Sequence, residues 1–186
     1  LLQGFEGILQ SDGYGAYESF ALKNEAVKRI ACWAHVRRKF VEAESESPPA
    51  VRRVLRLIGQ LYGNESDCDQ KRYSPKLRAY RRLAWSALVL KRIEKVVKKL
   101  KMRARPKSQL GKACNYLLGQ WPALLRIQQY GQVQLDNNLI ENAIRPSAVG
   151  KKNFLFIGSP NAGKRSAIIY SIIISCQRVA SPPATC

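Results

Sequence analysis

Histidine is nearly missing from this chain of 186 residues, and acids are scarce: one His and 13 Asp plus Glu stand against 32 Lys plus Arg. A lone imidazole, His35, gives Ser-His-Asp hydrolysis little support, because no strong serine or cysteine nucleophile context accompanies it. It argues against zinc as well. Cys32-x-x-His35 has half the spacing of a zinc site, but no second pair supplies the other ligands, so a packing cysteine and a hydrogen-bonded histidine are expected. Long apolar runs are also missing. The run Ala167 to Cys176 is ten residues long and broken by Ser171 and Ser175, whereas a bilayer span needs about 20, so no membrane partner is expected. Cysteine is present at positions 32, 68, 114, 176 and 186. That odd, irregular set, with no secretory pattern at the start, reads as reduced cytosolic thiols. No Met opens the chain, and Leu1 enters directly into structured-looking sequence, as in a piece of a longer protein.

What is abundant is positive charge. The formal net charge is +19, and 46% hydrophobic residues suffice for a real core in one domain or a domain with an insertion. The excess is local: between Lys71 and Lys112 sixteen Lys or Arg face one acid, Glu94, giving +15 of the total. Solvated helix faces usually mix signs to limit self-repulsion. A one-sign segment points to a polyanion, with nucleic acid leading because phosphate contacts release counterions. A ribosomal or membrane-surface role would give the same balance.

Taken in order, Phe5 to Gln10 reads as a short buried strand ending at Ser11-Asp12-Gly13-Tyr14, which places Asp12 at a strand's C-terminal end. Ligand-binding groups gather at that end in α/β sheets. Val27 to Ala31 is a second strand, leading into a helix with 32, 36 and 40 on one stripe and Arg37, Arg38 and Lys39 on the polar face. A helix from about Ala50 carries an apolar stripe from Val51 to Tyr62, with Ser47 as cap and Gly63 placed to end it; Asn64 to Gln70 reads as a polar loop. From Lys76 to about Lys101 a single amphipathic helix is expected, with Leu77, Tyr80, Ala84, Leu88, Ile93, Val97 and Leu100 near one face. Ser108 caps the next helix, and Pro122 starts a short one to Gln129. Residues 33 to 129 are thus nearly all helix.

The stretch DNNLIENAIRP, Asp136 to Pro146, reads as a short helix capped by Asp136 or Asn137 and stopped at Pro146. Ile140 and Ile144 form its core stripe, and Glu141 shares a neighbouring face with Arg145. Beyond it come Lys151, Lys152, an apolar run from Phe154 to Ile157, a turn, and a helix through Cys176. Gly158-Ser-Pro-Asn-Ala-Gly163-Lys164 fits the first seven positions of a phosphate-binding loop. Arg165 then stands where a magnesium-holding hydroxyl is needed, and Pro160 removes a loop donor, so a nucleotide site is not expected.

Together GILQSDGYGAY at 7 to 17, ACWAHVRRKF at 31 to 40, SQLGKACNYLLGQW at 108 to 121, DNNLIENAIRP at 136 to 146 and GKKNFLFIGSPNAGKRSAIIYS at 150 to 171 resemble the catalytic part of bacterial transposases of the insertion-sequence 66 family. The resemblance implies an α/β, partial RNase H-like fold with a large, mostly helical insertion. Its parts would be strands in 1–31, a basic insertion in 32–130, the rest of the core in 131–176 and a frayed or aberrant tail in 177–186. It implies that Asp12 and Glu141 are the second and third acids of a DDE triad binding Mg2+ or Mn2+, with Arg37, Arg38, Lys91, Lys95, Lys98, Lys99, Arg145, Lys151 and Lys152 holding DNA. Water would hydrolyse a phosphodiester at the element's end, and the freed 3′-hydroxyl would attack target DNA. DNA ends and target are then the partners, with room for a homo-oligomer and helper proteins of the same element, in the bacterial cytoplasm and on the nucleoid.

The family's first Asp lies on an earlier strand, and Asp67, Asp69 and Asp136 are poor substitutes by position. Residues 1 to 186 alone are therefore expected to be catalytically incompetent. The tail from Ile172 also departs from the family and resembles a frameshifted or decayed terminus. The competing expectation is a non-enzymatic, basic, nucleic-acid-binding helical protein.

Overall fold

The computed structural model describes residues 2, 4–154 and 158–178, with backbone only for 151–154 and 178. Among these the chain is mostly helical, with a two-stranded parallel sheet, and it divides into two compact units, Leu1–Asn137 and Asn138–Cys186.

In the first unit β1 (Gly7–Ser11) pairs in parallel with β2 (Val27–Ala31), in a register running from Gly7 opposite Val27 to Ser11 opposite Ala31. Helix α1 (Gly15–Lys23) makes the crossover that a parallel pair requires. Helices α2 (Trp33–Glu42), α3 (Pro48–Gln70), α4 (Pro75–Arg81), α5 (Ala87–Arg103) and α6 (Gln109–Leu125) follow. The core collects Ile30 from β2, Trp33, Val36 and Phe40 from α2, Val51, Val54 and Ile58 from α3, Ile93 and Val97 from α5, and Cys114, Leu117 and Leu124 from α6. Full burial of such side chains contributes about 1.5–3 kcal/mol each. Trp33 and Trp121 meet edge to face, with centroids 6.2 Å apart.

The structure corrects several element boundaries. Helix α3 runs through Gly63 to Gln70, so 64 to 70 is not a loop. Its buried stripe continues past Leu61 to Glu65 and Cys68, and Glu65 there faces Arg78 and Arg82. This buried pairing outweighs the roughly 1 kcal/mol that an interior glycine costs a helix. The expected single helix of 76 to 101 is interrupted by a π-turn at Arg82–Ser86. That turn carries the buried face through Arg78, Arg82, Ser86, Leu90, Ile93 and Val97, leaving Leu77, Tyr80 and Leu88 exposed. Pro122 lies inside α6 rather than starting a helix, and α6 closes in a 3-10 turn at Arg126–Gln129.

Helix α6 begins as expected at Ser108, whose Oγ accepts from the Gly111 N–H at 3.0 Å. Glu46, from the α2–α3 connection, adds a second cap: its two oxygens accept from the Gln109 and Leu110 N–H groups at 2.8 and 2.9 Å. These backbone donors hold the Glu46 carboxyl below its ordinary value of 4.5. A depressed folded pKa contributes stability above the unfolded value and loses it as pH falls through the folded one. Urea midpoints at pH 7 and pH 3 should therefore differ less in Glu46→Gln than in the parent; an unchanged difference would remove Glu46 from the account.

In the second unit, α7 (Asn138–Phe154) passes through Pro146, so that proline is not a stop, and Ile140 and Ile144 are exposed rather than core. Phe154 ends α7; the remainder of the expected apolar run lies outside the described residues. Helix α8 (Pro160–Arg178) matches the expected terminal helix. Cys32, Cys68 and Cys114 are free and buried. Cys176 is disulfide-bonded, so the reading of reduced thiols does not extend to it.

Candidate active site at the strand ends

Because β1 and β2 are parallel, both stop at the same edge, and Asp12 stands at that edge directly after Ser11. Its side chain is half-exposed. Oδ1 accepts the Tyr14 N–H at 3.0 Å, a local turn that fixes the carboxylate. The Asp12 carbonyl accepts from Arg29 Nη1 at 3.3 Å and from Ser11 Oγ at 3.1 Å. Arg29 is itself buried and held by Gln120 Oε1 at 2.8 Å. Gly13 leaves room for the Tyr116 ring: a Cβ there would lie 2.5 Å from it and oblige the tip of that side chain to shift. Burial raises the Tyr116 hydroxyl pKa, the Gly13 backbone lowers it, and the Asp12 charge raises it further.

A third segment closes on the same edge. The Cys32 N–H donates to Ser11 O at 3.1 Å, extending the strand ladder, and the Trp33 N–H donates to Leu135 O at 3.0 Å. Gln10 Nε2 donates to Gln134 O at 2.8 Å. These bonds staple residues 134 and 135 across the strand ends and bring Asp136 beside Cys32. Tyr62 Oη, from α3, donates to Asp136 Oδ2 at 2.8 Å. Burial pushes the Tyr62 hydroxyl far up, and the bond to Asp136 and its charge push the same way. Burial likewise raises the Cys32 thiol, with the Asp136 charge adding to it and nearby backbone donors opposing. The sequence offered Asp136 as a helix cap and as a poor substitute, by position, for the first acid. A partner 74 residues away in sequence, Tyr62, leaves no local signal.

Glu141 sits in the first turn of α7, half-buried, where helix N-terminal partial charge favours an acid. Asp12 belongs to the first unit and Glu141 to the second. Among the described residues no group of three or more His, Cys, Asp or Glu is arranged to hold a metal ion. Magnesium, however, is usually held by one or two carboxylates together with waters and substrate phosphates.

The expected DNA-binding residues Arg37, Arg38, Lys91, Lys95, Lys98, Lys99 and Arg145 are exposed. Lys98 pairs with Glu94 at 2.7 Å. Lys151 and Lys152 lie in α7, their side chains outside the described residues. Some of the charge of 71 to 112 is neutralised inside the fold: Arg78 and Arg82 are buried on Glu65, while Lys71 and Arg81 pair with Asp67. In the glycine-rich turn, Gly158 takes a φ of 84°, and Ser159 Oγ accepts the Ala162 N–H at 3.2 Å. That serine caps α8 by accepting from a backbone N–H that a phosphate cradle would need.

A model of the transposase IS66 family matches residues 1–165. Three uncharacterized proteins of Sinorhizobium fredii (strain NBRC 101917 / NGR234) are similar to 95% of the chain: y4qI at 31% identity, y4jD at 30% and y4hP at 30%. The match covers 34%, 35% and 34% of their lengths, so the chain spans about a third of these relatives. No solved structure matches.

Proposed function

The chain belongs to the transposase IS66 family, and we propose that it carries part of the catalytic core for DNA strand cleavage and strand transfer on an RNase H-like framework. Asp12 and Glu141 are the second and third acids. The observation that carries this reading is Asp12 itself, a half-exposed carboxylate fixed by the Tyr14 N–H at the C-terminal edge of a parallel β-α-β pair. Asp12 and Glu141 would hold Mg2+ or Mn2+. When bound, paired ions of this kind lower the pKa of an attacking water and stabilise charge on the leaving oxygen. The chain's own contribution is placement. Arg29, anchored on Gln120, holds the Asp12 carbonyl, and Gly13 lets Tyr116 close beneath the turn. The exposed lysines of α5, with Arg37 and Arg38 on α2, bind phosphates and position the duplex without reading its sequence.

The exposed cationic face of α5 would by itself serve a non-enzymatic nucleic-acid-binding protein. A metal-dependent nicking assay on a polypeptide as long as the curated relatives separates the two readings, since only the enzyme depends on Asp12 and Glu141. DNA binding is tested by salt titration. Replacing Lys91, Lys95 and Lys99 with alanine should weaken duplex binding uniformly across sequences and reduce the slope of log K against log salt by about one per lysine. An unchanged slope would place the DNA elsewhere.

A further inference from the structure

The strongest unassigned feature is a cavity of about 560 Å³ at the π-turn, lined by Trp85, Leu88, Gln60, Lys71, Arg81 and Arg92 among others. Two of the three tryptophans are core: Trp33 is 0% and Trp121 8% exposed. Trp85 is 64% exposed, although burying an indole contributes more than burying almost any other side chain. The π-turn explains how. With Arg82 and Ser86 turned inward, Leu83, Ala84 and Trp85 face solvent, and such turns recur at functional sites. The ring is also held in place: the Arg81 guanidinium lies 5.4 Å from its centroid and is itself fixed by Asn64 Oδ1 at 3.1 Å and Asp67 Oδ2 at 2.7 Å.

Trp85 lines the same cavity as Leu88 and Arg92, and from Leu88 a stripe runs along α5 through Arg92, Lys95 and Lys99, at spacings of four, three and four residues that share one helix face. All five are exposed, and the stripe from Leu88 to Lys99 spans about 16 Å at 1.5 Å per residue. An aromatic platform continued by a row of cations complements a ligand that offers a π-face and a string of phosphates. Duplex DNA hides its base faces in the stack, so only an unpaired strand offers both.

We propose that Trp85 stacks an unpaired base of single-stranded DNA, with Arg92, Lys95 and Lys99 carrying the adjoining backbone. This rests on the DNA-handling reading above and adds to it the strand state that the chain prefers. Because Trp85 is exposed, its substitution leaves the core intact, and a thermal melt by circular dichroism checks this.

The experiment compares the chain with Trp85→Ala and Trp85→Phe, using a dT oligonucleotide, a duplex of equal length and an abasic oligomer of equal charge. Trp85→Ala should weaken dT binding roughly 5- to 150-fold, the range for one base on one aromatic ring, while duplex affinity stays within about twofold, as phosphate contacts dominate there. Trp85→Phe should keep most of the affinity. The abasic oligomer should bind the parent about as weakly as dT binds Trp85→Ala. Equal dT affinity in Trp85→Ala with duplex binding intact overturns the stacking site alone. A shift in sedimentation with DNA binding unchanged also overturns it, marking the patch as a protein interface. If the parent binds neither DNA form at low salt, the DNA-handling reading falls with it.

Discussion

Replacing Glu65 with glutamine should lower the unfolding free energy by about 3–5 kcal/mol, the usual cost of removing one member of a buried charged group. Glu65 lies on α3 with its side chain 7% exposed. It receives Arg82 in a two-pronged pair, Nε to Oε1 at 2.8 Å and Nη2 to Oε2 at 2.6 Å, and Arg78 Nη1 at 3.2 Å. Without the carboxylate, Arg82, whose side chain is 1% exposed, keeps a charge that water cannot reach. Glu94→Gln on α5, which breaks a solvent-facing pair with Lys98, is the control and should cost at most about 1 kcal/mol. Urea midpoints at neutral pH measure both. Equal effects would show that the buried group does not hold the helices together.

Arg82→Met should be worse than Arg78→Met, because Arg82 also donates to the carbonyls of Ile127, Tyr130 and Val133 at 2.9, 2.7 and 2.7 Å. Removing it takes a donor from one buried and two partly buried carbonyls. The consequence reaches the strand edge, since Val133 begins the segment that carries Gln134, Leu135 and Asp136 onto Gln10 and Trp33.

What the sequence made legible follows from how local each signal is. The strand at Phe5 to Gln10 is found, as β1, because its apolar run is short and bounded by a turn, and Ser108 is found as a cap because a cap acts within one turn. The failures share a cause. Gly63 and Pro146 are local stop signals overridden by the helix around them, and in α3 the override is visible as the Glu65 pairings. Period counting could have caught part of this, since Glu65 and Cys68 continue the stripe of Val51, Val54, Ile58 and Leu61. The π-turn could not be counted, because it changes the period midway through a helix. At the candidate site, the place of Asp12 at a strand end was legible from an apolar run that stops at a turn. Asp136 was not, since its position depends on bonds from β1, α2 and α3 that only the folded chain assembles.

Asp12→Asn and Glu141→Gln should each reduce Mg2+-dependent DNA cleavage on the order of a thousandfold when these residues are part of a polypeptide as long as the curated relatives. Both substitutions keep side-chain size and remove the charge that a hard cation needs. They should leave duplex binding nearly unchanged, because affinity is proposed to reside in the lysines and arginines of α2 and α5. Asn at 12 can still accept the Tyr14 N–H through its amide oxygen, so the turn at the strand edge survives and any lost activity reports on the metal rather than on the fold. Residues 1 to 186 by themselves should also bind DNA, because Arg37, Arg38 and the exposed lysines of α5 lie within them. Robust cleavage by that polypeptide, abolished by Glu141→Gln, would show that the acids within residues 1 to 186 suffice for the reaction. It would also turn attention to Asp136, the other carboxylate at the strand edge, held there by Tyr62.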